Sequence, residues 1–471
     1  MGKPHSGAAA PTMGLYTSLT RHVLAPAYDR LRGTSTMRCL AQLEESQWWS
    51  YEQLEEIQSR RLQHLIRHAH ANVPYYRRLM DERGIRPGDI ATPSDLRKLP
   101  PLTKELIRAN STELLADGYP REKLLEGHTG GSSGTPLCFH SSREGRMTHG
   151  LARSLRAMEW AGVQPGDRTI HVTKRRFPGA EPEGFLPRLS RMMSRDVFVD
   201  CMSFSEETLP AVIEKIAKSH PRALRGYASA ISIIADFIRE SGTQAPEVGE
   251  VVVGGEQLFD EQRALLRQVF GTEPFSRYSS FENFDIAMEC EAHAGMHVNA
   301  EDLLVEIVDE SGMPVSDGYR GRLLVTNLHE CGMPLIRYDT DDESSFTGHG
   351  CTCGRHLPLI EGVVGKTGNT IYTPSGKRLS PLTLGSSNLA PMGIGRFQFV
   401  QETLDHVVVR IVPVSSLAPN EVAALPARVA ANFGRVLGAD VRIDVVVVDH
   451  IEPTPAGKHL FLISEVAPAR K

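Results

Sequence analysis

The pattern of apolar and polar positions predicts helices in the first third of the chain. Between residues 48 and 66, Glu, Gln and Arg separate apolar side chains that recur at helical spacing: Trp48, Trp49, Leu54, Ile57, Leu62, Leu65 and Ile66. Pro74 ends this helix, and Thr103 is positioned to cap the start of another. Residues 14 to about 120 are therefore predicted to be mostly helical.

After residue 128 the pattern changes to an alternation of strands and helices. Short apolar runs at 169–173 and 250–253 alternate with helical stretches, which predicts sheets flanked by helices. The helical stretches cover 147–161, 206–219, 228–240 and 260–270.

Residues 299–347 form a region rich in strands, with strands at 303–308 and 321–326 and a turn at 309–312. A smaller unit follows Gly365. Its predicted strands lie at 397–402, 406–412 and 441–448, and its helix at 419–437. This order of elements predicts a compact α+β module of roughly 100 residues.

A chain of 471 residues is too long for a single core. We predict an α/β fold with a large N-terminal domain over 14–364, made of a helical region, sheets flanked by helices and a small β-subdomain. A small, mobile α+β domain over 365–471 completes it, and 1–13 is predicted to be a disordered tail.

Composition and charge exclude several classes of protein. The chain is 41% hydrophobic and 23% charged, as in ordinary globular proteins, and no apolar run approaches the ~20 residues of a membrane span. A formal charge of −5 provides no field that would attract nucleic acid or an anionic membrane. Seven cysteines, an odd number, do not indicate a secreted disulfide framework. We therefore expect a cytoplasmic protein.

The most informative stretch runs from His128 to Leu137 and reads H-T-G-G-S-S-G-T-P-L. Glycines let the backbone N–H groups converge on one point, and the hydroxyl groups add donors without bulk. This composition is typical of an anion-binding loop. The alternative is an ordinary Gly/Ser turn between two strands.

Two known motifs were compared with this stretch. A Walker loop would require Gly-Lys-Ser/Thr, whereas Gly134 is followed by Thr135 and Pro136. The segment 130–134 does match G-x-S-x-G, the nucleophile elbow of hydrolases, with Ser132 as the nucleophile. An elbow requires a helix directly after it, and residues 136–140 read as extended. The hydrolase interpretation is therefore an alternative, not the favoured one.

Taken together, the motifs resemble the adenylate-forming superfamily, in its phenylacetate-CoA ligase and CapK-like branch. The resemblance covers nearly the whole chain. It rests on these segments: 69–76, 95–104, 129–136, 226–229, 254–256, 277–282, 321–326, 334–342, 365–368 and 453–458.

The resemblance assigns the nucleotide to a set of residues distributed along the chain. The glycine-rich loop would hold the β- and γ-phosphates of ATP, through Thr129, Gly130, Gly131, Ser132, Ser133, Gly134 and Thr135. Other contacts with the cofactor are implied for Gly254, Gly255, Glu256, Arg277, Tyr278, Ser279, Asp342 and Lys366. Within this set, Tyr278 would stack on adenine and Asp342 would accept hydrogen bonds from the ribose hydroxyls.

The same resemblance implies the catalytic and substrate residues. Lys458, on a glycine turn near the C-terminus, would stabilise charge on the α-phosphate, and Glu282 would hold Mg²⁺. Tyr227, Ala228 and Gly255 would line the acid-binding side. The alternatives are a core aromatic for Tyr278, a solvated acid for Glu282 and a turn residue for Asp342.

The chain departs from the family pattern at four positions. Leu137 replaces the last lysine of the phosphate loop, Ser279 replaces a glycine, Phe281 replaces a Ser/Thr, and Gly368 replaces the acidic residue of the interdomain hinge. These departures favour a third interpretation, a non-catalytic nucleotide-binding homologue. The presence of Asp342 and Lys458 argues against it.

Four residues have the types and spacings of a zinc site. Cys290 and His297 form a Cys-x₆-His pair, and Cys351 and Cys353 form a Cys-x-Cys pair, which is compatible with a structural tetrahedral site. The alternative is a set of free thiols with an unrelated histidine.

The expected function is activation of a small, aromatic carboxylic acid by ATP and Mg²⁺, followed by transfer of the acyl group to coenzyme A. Transfer to an amine or a carrier-protein thiol is the alternative within the same family. We expect no nucleic acid or membrane partner, and a homodimer is a family-level expectation.

Overall fold

The computed structural model describes residues 14–128, 137–173, 184–201, 204, 207–365, 371–375, 378–379, 389, 392–414, 417–451, 462–464 and 466. It has the mixed α/β architecture that the sequence predicts. Within the described residues, none of the helices combines the length and the apolar composition that crossing a bilayer requires.

The N-terminal region is helical but more interrupted than the sequence predicts. Its helices are α1 (Leu15–Leu19), α2 (Ala25–Arg32), α3 (Thr36–Ser46), α4 (Tyr51–Asn72), α5 (Pro74–Glu82) and α6 (Lys104–Ala109). The prediction that Trp48 and Trp49 are helical is wrong. They lie in a turn, because Ser50 caps α4 by accepting a hydrogen bond from the Gln53 amide. Thr103 caps α6 in the same way, as predicted.

The two strands of a small antiparallel sheet flank the glycine-rich segment in the sequence. Its strands are β1 (Leu124–His128) and β2 (Cys138–Ser142), with His128 paired to Cys138. The predicted extended run after the glycines is thus a strand. A strand at this position, in place of a helix, argues against the nucleophile-elbow interpretation.

The largest sheet has eight strands in the order β13-β9-β8-β7-β6-β5-β3-β4. Five of them are parallel: β3 (Thr169–Thr173), β4 (Val197–Asp200), β5 (Ala223–Gly226), β6 (Glu250–Gly254) and β7 (Phe275–Ser280). The antiparallel remainder is β8 (Phe284–Glu289), β9 (Met296–Val298) and β13 (Leu359–Ile360).

Helices cover both faces of this sheet, which explains the continuous apolar runs in its strands. The helices that pack on it are α7 (Leu151–Trp160), α9 (Leu209–Ser219), α10 (Ala228–Ser241) and α11 (Asp260–Phe270). Helix α8 (Phe185–Ser194) lies between β3 and β4 in the sequence. Val251 and Val253 share a core with Ile234 of α10. Val252, between them, packs in a second core with Ala157 of α7.

A second sheet has the order β10-β11-β12-β14 and is antiparallel. Its strands are β10 (Leu303–Val308), β11 (Gly321–Asn327), β12 (Tyr338–Ser344) and β14 (Val364–Gly365). The turn predicted at 309–312 joins β10 and β11, and Gly312 adopts a positive φ of 81° within it.

The C-terminal part contains its own sheet, in the order β19-β18-β17-β20. It consists of β17 (Ile394–Thr403), β18 (His406–Pro413), β19 (Arg442–Val447) and β20 (Leu462–Ser464), with α12 (Pro419–Leu437). A short pair, β15 (Ile371–Tyr372) and β16 (Arg378–Leu379), precedes it. Leu425 and Phe433 of α12 pack on Phe399 and Val409 in a separate core. The α+β module that the sequence predicts is present.

Buried charges connect α7 to the start of β10. Arg156 is fully buried, and its guanidinium donates to both carboxylate oxygens of Glu301, at 2.5 and 2.9 Å. Ser46 at the end of α3 donates to the same carboxylate at 2.6 Å. Because either charge would be strongly destabilising if it were buried alone, this ion pair fixes where the helices meet the strand.

We predict that Glu301→Ala lowers the free energy of unfolding by about 3–5 kcal/mol, because it leaves the Arg156 charge buried without a partner. Urea unfolding monitored by fluorescence would measure the loss. The double variant Arg156→Met/Glu301→Met should recover most of it. Glu56→Ala removes one partner of the exposed Arg60 pair and should change the free energy of unfolding by less than about 1 kcal/mol. If Glu301→Ala and Glu56→Ala lowered the free energy of unfolding equally, the prediction would be contradicted.

Candidate active site

Two of the predicted segments meet at the carboxyl ends of parallel strands β5 and β6. Gly255 follows β6 with φ +75°, and a Cβ there would lie 3.0 Å from the ring of Tyr227. Only glycine allows both this backbone conformation and this close approach. Glu256 accepts hydrogen bonds from the backbone amide of Ser229, at 2.9 Å, and from its hydroxyl, at 2.5 Å. The segments 226–229 and 254–256 therefore form one surface.

Tyr278 and Asp342 come together from different sheets. The Tyr278 hydroxyl donates to Asp342 Oδ2 at 2.8 Å, joining β7 to β12 across 64 positions of sequence. Burial raises the pKa of the Asp342 carboxyl to about 6, although the hydrogen bond from Tyr278 and the charge of Lys104 both lower it. A carboxylate this strongly desolvated is suited to accepting hydrogen bonds from a ligand.

Glu282 lies next to this pair. The hydroxyl of buried Tyr338 donates to Glu282 Oε1 at 2.6 Å, and Glu282 itself is only half-buried. A carboxylate has about four acceptor sites, so one hydrogen bond leaves capacity for a hard cation. Phe281, one of the departures from the family pattern, is 51% exposed beside it. The donor chemistry of Glu282 fits Mg²⁺, and its role remains a prediction.

Arg277 is held inside the protein. Its guanidinium forms a two-pronged ion pair with buried Asp285, with Nη2 2.6 Å from Oδ2, and Ser154 of α7 donates to the same carboxylate. This arrangement orients β7 immediately before Tyr278. Ser279 follows Tyr278 at a register irregularity between β7 and β8.

Lys104 is a residue of this site to which the sequence analysis assigned no role. Its ammonium group forms an ion pair with Asp341 at 3.1 Å and donates to the backbone oxygen of Thr340 at 3.2 Å. Asp341 has a φ of +66°, a conformation that side chains rarely adopt. Lys104 belongs to the segment 95–104 on which the family resemblance rests. Its partner Asp341 lies over 230 residues away in the sequence, so the pairing could not be predicted.

Arg225 was also missed. It lies on β5 directly before Gly226, the last residue of the strand, and its guanidinium is attracted by the carboxylates of Asp196 and Asp285. Burial and the neighbouring charge of Arg277 lower its pKa to about 10. Its N–H groups can donate to an oxygen-bearing ligand beside the turn at 226–229.

Several predicted site residues lie outside the described residues. They are Thr129, Gly130, Gly131, Ser132, Ser133, Gly134, Thr135, Lys366 and Lys458, together with the departure at Gly368. Leu137, the departure at the end of the loop, is buried in the core with Phe139. The roles predicted for the undescribed residues remain predictions.

The four predicted zinc ligands converge. Their ligand atoms all lie within 4.8 Å of one another. Cys290 Sγ is 3.6 Å from Cys351 Sγ, and Cys353 Sγ is 3.3 Å from His297 Nε2. The Cys290 hydrogen bond lowers the pKa of the Cys353 thiol, which favours a thiolate there.

The surroundings of this cluster suit a metal. His297 Nδ1 lies 3.3 Å from the Leu357 carbonyl oxygen, which can only accept, so Nδ1 carries the proton and Nε2 presents its lone pair to the cluster. Backbone amides donate to two of the sulfurs: Ala292 to Cys290 and Arg355 to Cys353, both at 3.5 Å. The donor set and these outer contacts fit zinc.

Comparisons with known proteins show which families this chain is similar to. A family model described as the CapK C-terminal domain matches residues 371–465. The phenylacetate-coenzyme A ligase of Thermus thermophilus is 26% identical over 423 residues, which cover 85% of this chain and 87% of that protein. The phenylacetate-coenzyme A ligase of Escherichia coli is 30% identical over 337 residues, 66% of this chain and 72% of that protein.

Among solved structures, a 2-hydroxyisobutyryl-CoA ligase in complex with 2-HIB-AMP and CoA superimposes with a TM-score of 0.62. It is 19% identical and covers 88% of this chain and 90% of its own, which establishes the shared fold. The match with the E. coli protein, together with the fold and the convergence of Tyr278, Glu282 and Asp342, shows that the chain belongs to the phenylacetate-CoA ligase family of adenylate-forming enzymes.

Proposed function

We propose that this protein joins a small, aromatic carboxylic acid to coenzyme A in two steps. In the first, a carboxylate oxygen attacks the α-phosphorus of ATP, the bond to the β-phosphate oxygen breaks, and pyrophosphate leaves. In the second, the thiol sulfur of coenzyme A attacks the acyl carbon, loses its proton, and displaces AMP. The observation that carries the proposal is the joining of Tyr278, Glu282 and Asp342 in one place, in a member of this family.

The chain's own residues position the nucleotide and stabilise charge, so no protein nucleophile is required. The hydrogen bond to Tyr278 orients the Asp342 carboxylate toward the ribose hydroxyls. Glu282 would hold Mg²⁺, which neutralises phosphate charge when bound. The glycine-rich segment 129–135 would donate its backbone N–H groups to the phosphates, and Lys458 would stabilise charge at the α-phosphate.

The acid would lie against the surface formed by Tyr227, Ala228 and Gly255. The two relatives above are named phenylacetate-coenzyme A ligases, which supports an aromatic acid and coenzyme A as the acceptor. We also propose that Lys366 marks the hinge before the C-terminal domain, because the CapK C-terminal match begins at residue 371. The Cys290, His297, Cys351 and Cys353 cluster would hold a structural zinc ion.

We predict that Lys458→Ala lowers the rate of acid-dependent pyrophosphate release by about 10²–10³-fold, the usual cost of removing one transition-state charge partner. The measurement uses ATP, Mg²⁺ and a panel of aryl and alkyl acids, with and without coenzyme A. Lys218→Ala, an exposed helix lysine paired with Glu214, is the control and should retain wild-type rates. Thioester formed only with coenzyme A would establish the acceptor. Ester hydrolysis that Ser132→Ala abolishes, without any pyrophosphate release, would contradict the proposal.

Asp342→Asn should separate stability from function. The folded-state pKa of Asp342 is raised from its ordinary 3.8 to about 6, so folding stability falls as pH rises from about 4 to 6. Since asparagine does not titrate, the variant should be more stable than the wild type at pH 7, by up to about 3 kcal/mol. Its apparent KM for ATP should nevertheless rise, because a charged acceptor for the ribose is lost.

Urea unfolding at pH 7 and pH 4 tests this, and the stability gain should disappear at pH 4. The control is Asp309→Asn. Hydrogen bonds from the Ser311 hydroxyl and from backbone amides lower the pKa of Asp309, so this variant should lose stability at pH 7. A destabilised Asp342→Asn at pH 7 would refute the prediction.

The purified protein should contain at least one zinc ion per chain, measured by elemental analysis. Cys353→Ser should weaken zinc retention against a chelator by at least about 10²-fold, since it removes one of four ligands. It should also lower the thermal midpoint, because the ion holds the loop at 351–353 against β9. Cys331→Ser removes a thiol outside the cluster and should keep its zinc. If removing metal from the wild type left its thermal midpoint unchanged, the four residues would be free thiols and a histidine and not a structural zinc site.

A further inference from the structure

The hairpin β1–β2 carries a second group of metal-binding side chains, distinct from the Cys290 cluster. Glu126 and His128 lie two apart on β1, and Cys138 and His140 lie two apart on β2. Residues two apart share one face of a strand, and directly paired residues face the same way. Because Glu126 pairs with His140 and His128 with Cys138, all four side chains lie on one face.

The other face of the hairpin belongs to the core. Phe139 is buried there, and a Cβ on Gly127 would come within 2.5 Å of its ring. The face with the four polar side chains is turned outward, with Glu126, His128 and Cys138 exposed. An ion from solution can therefore reach it without displacing packed residues.

The distances suit a single metal ion. Glu126 Oε1 lies 3.0 Å from His128 Nε2, and Glu126 Oε2 lies 4.0 Å from His140 Nε2. The ligand atoms of Glu126, His128 and Cys138 all lie within 4.8 Å of one another. Tetrahedral zinc with bonds of about 2.0–2.3 Å separates its ligand atoms by about 3.3–3.8 Å. Side-chain rotations of Glu126, His128 and Cys138 reach these separations, and His140, which lies beside Glu126, would be the fourth ligand.

We propose that Glu126, His128, Cys138 and His140 form a second binding site, for a divalent ion of the zinc class. Zinc and cobalt(II) bind the two imidazoles and the thiolate readily, whereas magnesium and calcium bind the carboxylate but not nitrogen or sulfur donors. On binding, the Cys138 thiol loses its proton and the thiolate forms the bond to the metal.

The position of the site determines its consequence. His128 directly precedes the glycine-rich segment in the sequence, and Cys138 follows it. An ion bound to both residues cross-links the two strands at the points where that segment leaves and rejoins the hairpin. Because that segment is predicted to bind the phosphates of ATP, ion binding at its two ends slows ATP-dependent turnover. This consequence rests on the function proposed above, whereas the binding itself does not.

Metal binding to the full-length protein tests the site directly. Zinc is titrated against a competing indicator, and cobalt(II) is used as a probe because a thiolate ligand gives it a charge-transfer absorption band. The wild type should bind one ion more per chain than His128→Ala or Cys138→Ser, and the cobalt band from this site should be absent in Cys138→Ser. Cys331→Ser is the matched thiol control and should behave as wild type. Wild-type stoichiometry in both hairpin variants would overturn the proposal.

A second experiment tests the consequence. Pyrophosphate release is measured at fixed free zinc, set by a metal buffer because ATP and pyrophosphate themselves bind zinc. Wild-type turnover should fall several-fold on loading, and His140→Ala and Cys138→Ser should resist the same zinc concentration. If zinc bound at the hairpin without slowing turnover, the proposed effect on turnover would be contradicted and the binding site itself would stand. If no acid supports turnover, the proposed function fails, and the binding titration still decides the site.

Discussion

The hydrogen bond between Tyr278 and Asp342 is the contact on which the candidate site depends. It joins β7 of the eight-stranded sheet to β12 of the antiparallel sheet, so the site exists only where the two sheets meet. Tyr338 on β12 donates to Glu282 just after β7, which makes a second link across the same boundary. The ring of Tyr278 and the carboxylates of Glu282 and Asp342 are thereby held at one place.

That boundary is supported by buried charge. Asp302, at the start of β10, is almost fully buried and accepts hydrogen bonds from Arg61, Arg153 and His329, at 2.7 to 3.1 Å. These donors come from α4, α7 and the end of β11. Because buried ions tolerate little change in geometry, the network fixes one arrangement of helices and sheets. Asp342 lies at the same boundary, and burial there raises the pKa of its carboxyl group. Shifted pKa values of this kind are common at functional sites.

The two groups of candidate metal ligands are assembled in different ways, one by contacts between distant segments and the other by a single hairpin. Cys290, His297, Cys351 and Cys353 come from loops and a short strand that are brought together by the pairing of β9 with β13. Glu126, His128, Cys138 and His140 are brought together by a single hairpin. The first group is enclosed by backbone donors and fits a structural ion. The second is open to solvent and lies beside the segment predicted to bind phosphate.

The sequence by itself determined the elements and the family. Apolar periodicity placed α10, α11, α12 and β10 almost to the residue, because each buries a regular face in a core. It did not place the turn at Trp48 and Trp49, where the cap at Ser50 decides the start of a helix. The resemblance to the family motifs selected Tyr278, Glu282 and Asp342 as candidate site residues. Only the tertiary structure decided that Tyr278 contacts Asp342, that Lys104 pairs with Asp341, and that Arg277 is bound to Asp285. Those contacts join residues far apart in the chain, and local periodicity carries no information about which distant surfaces will pack together.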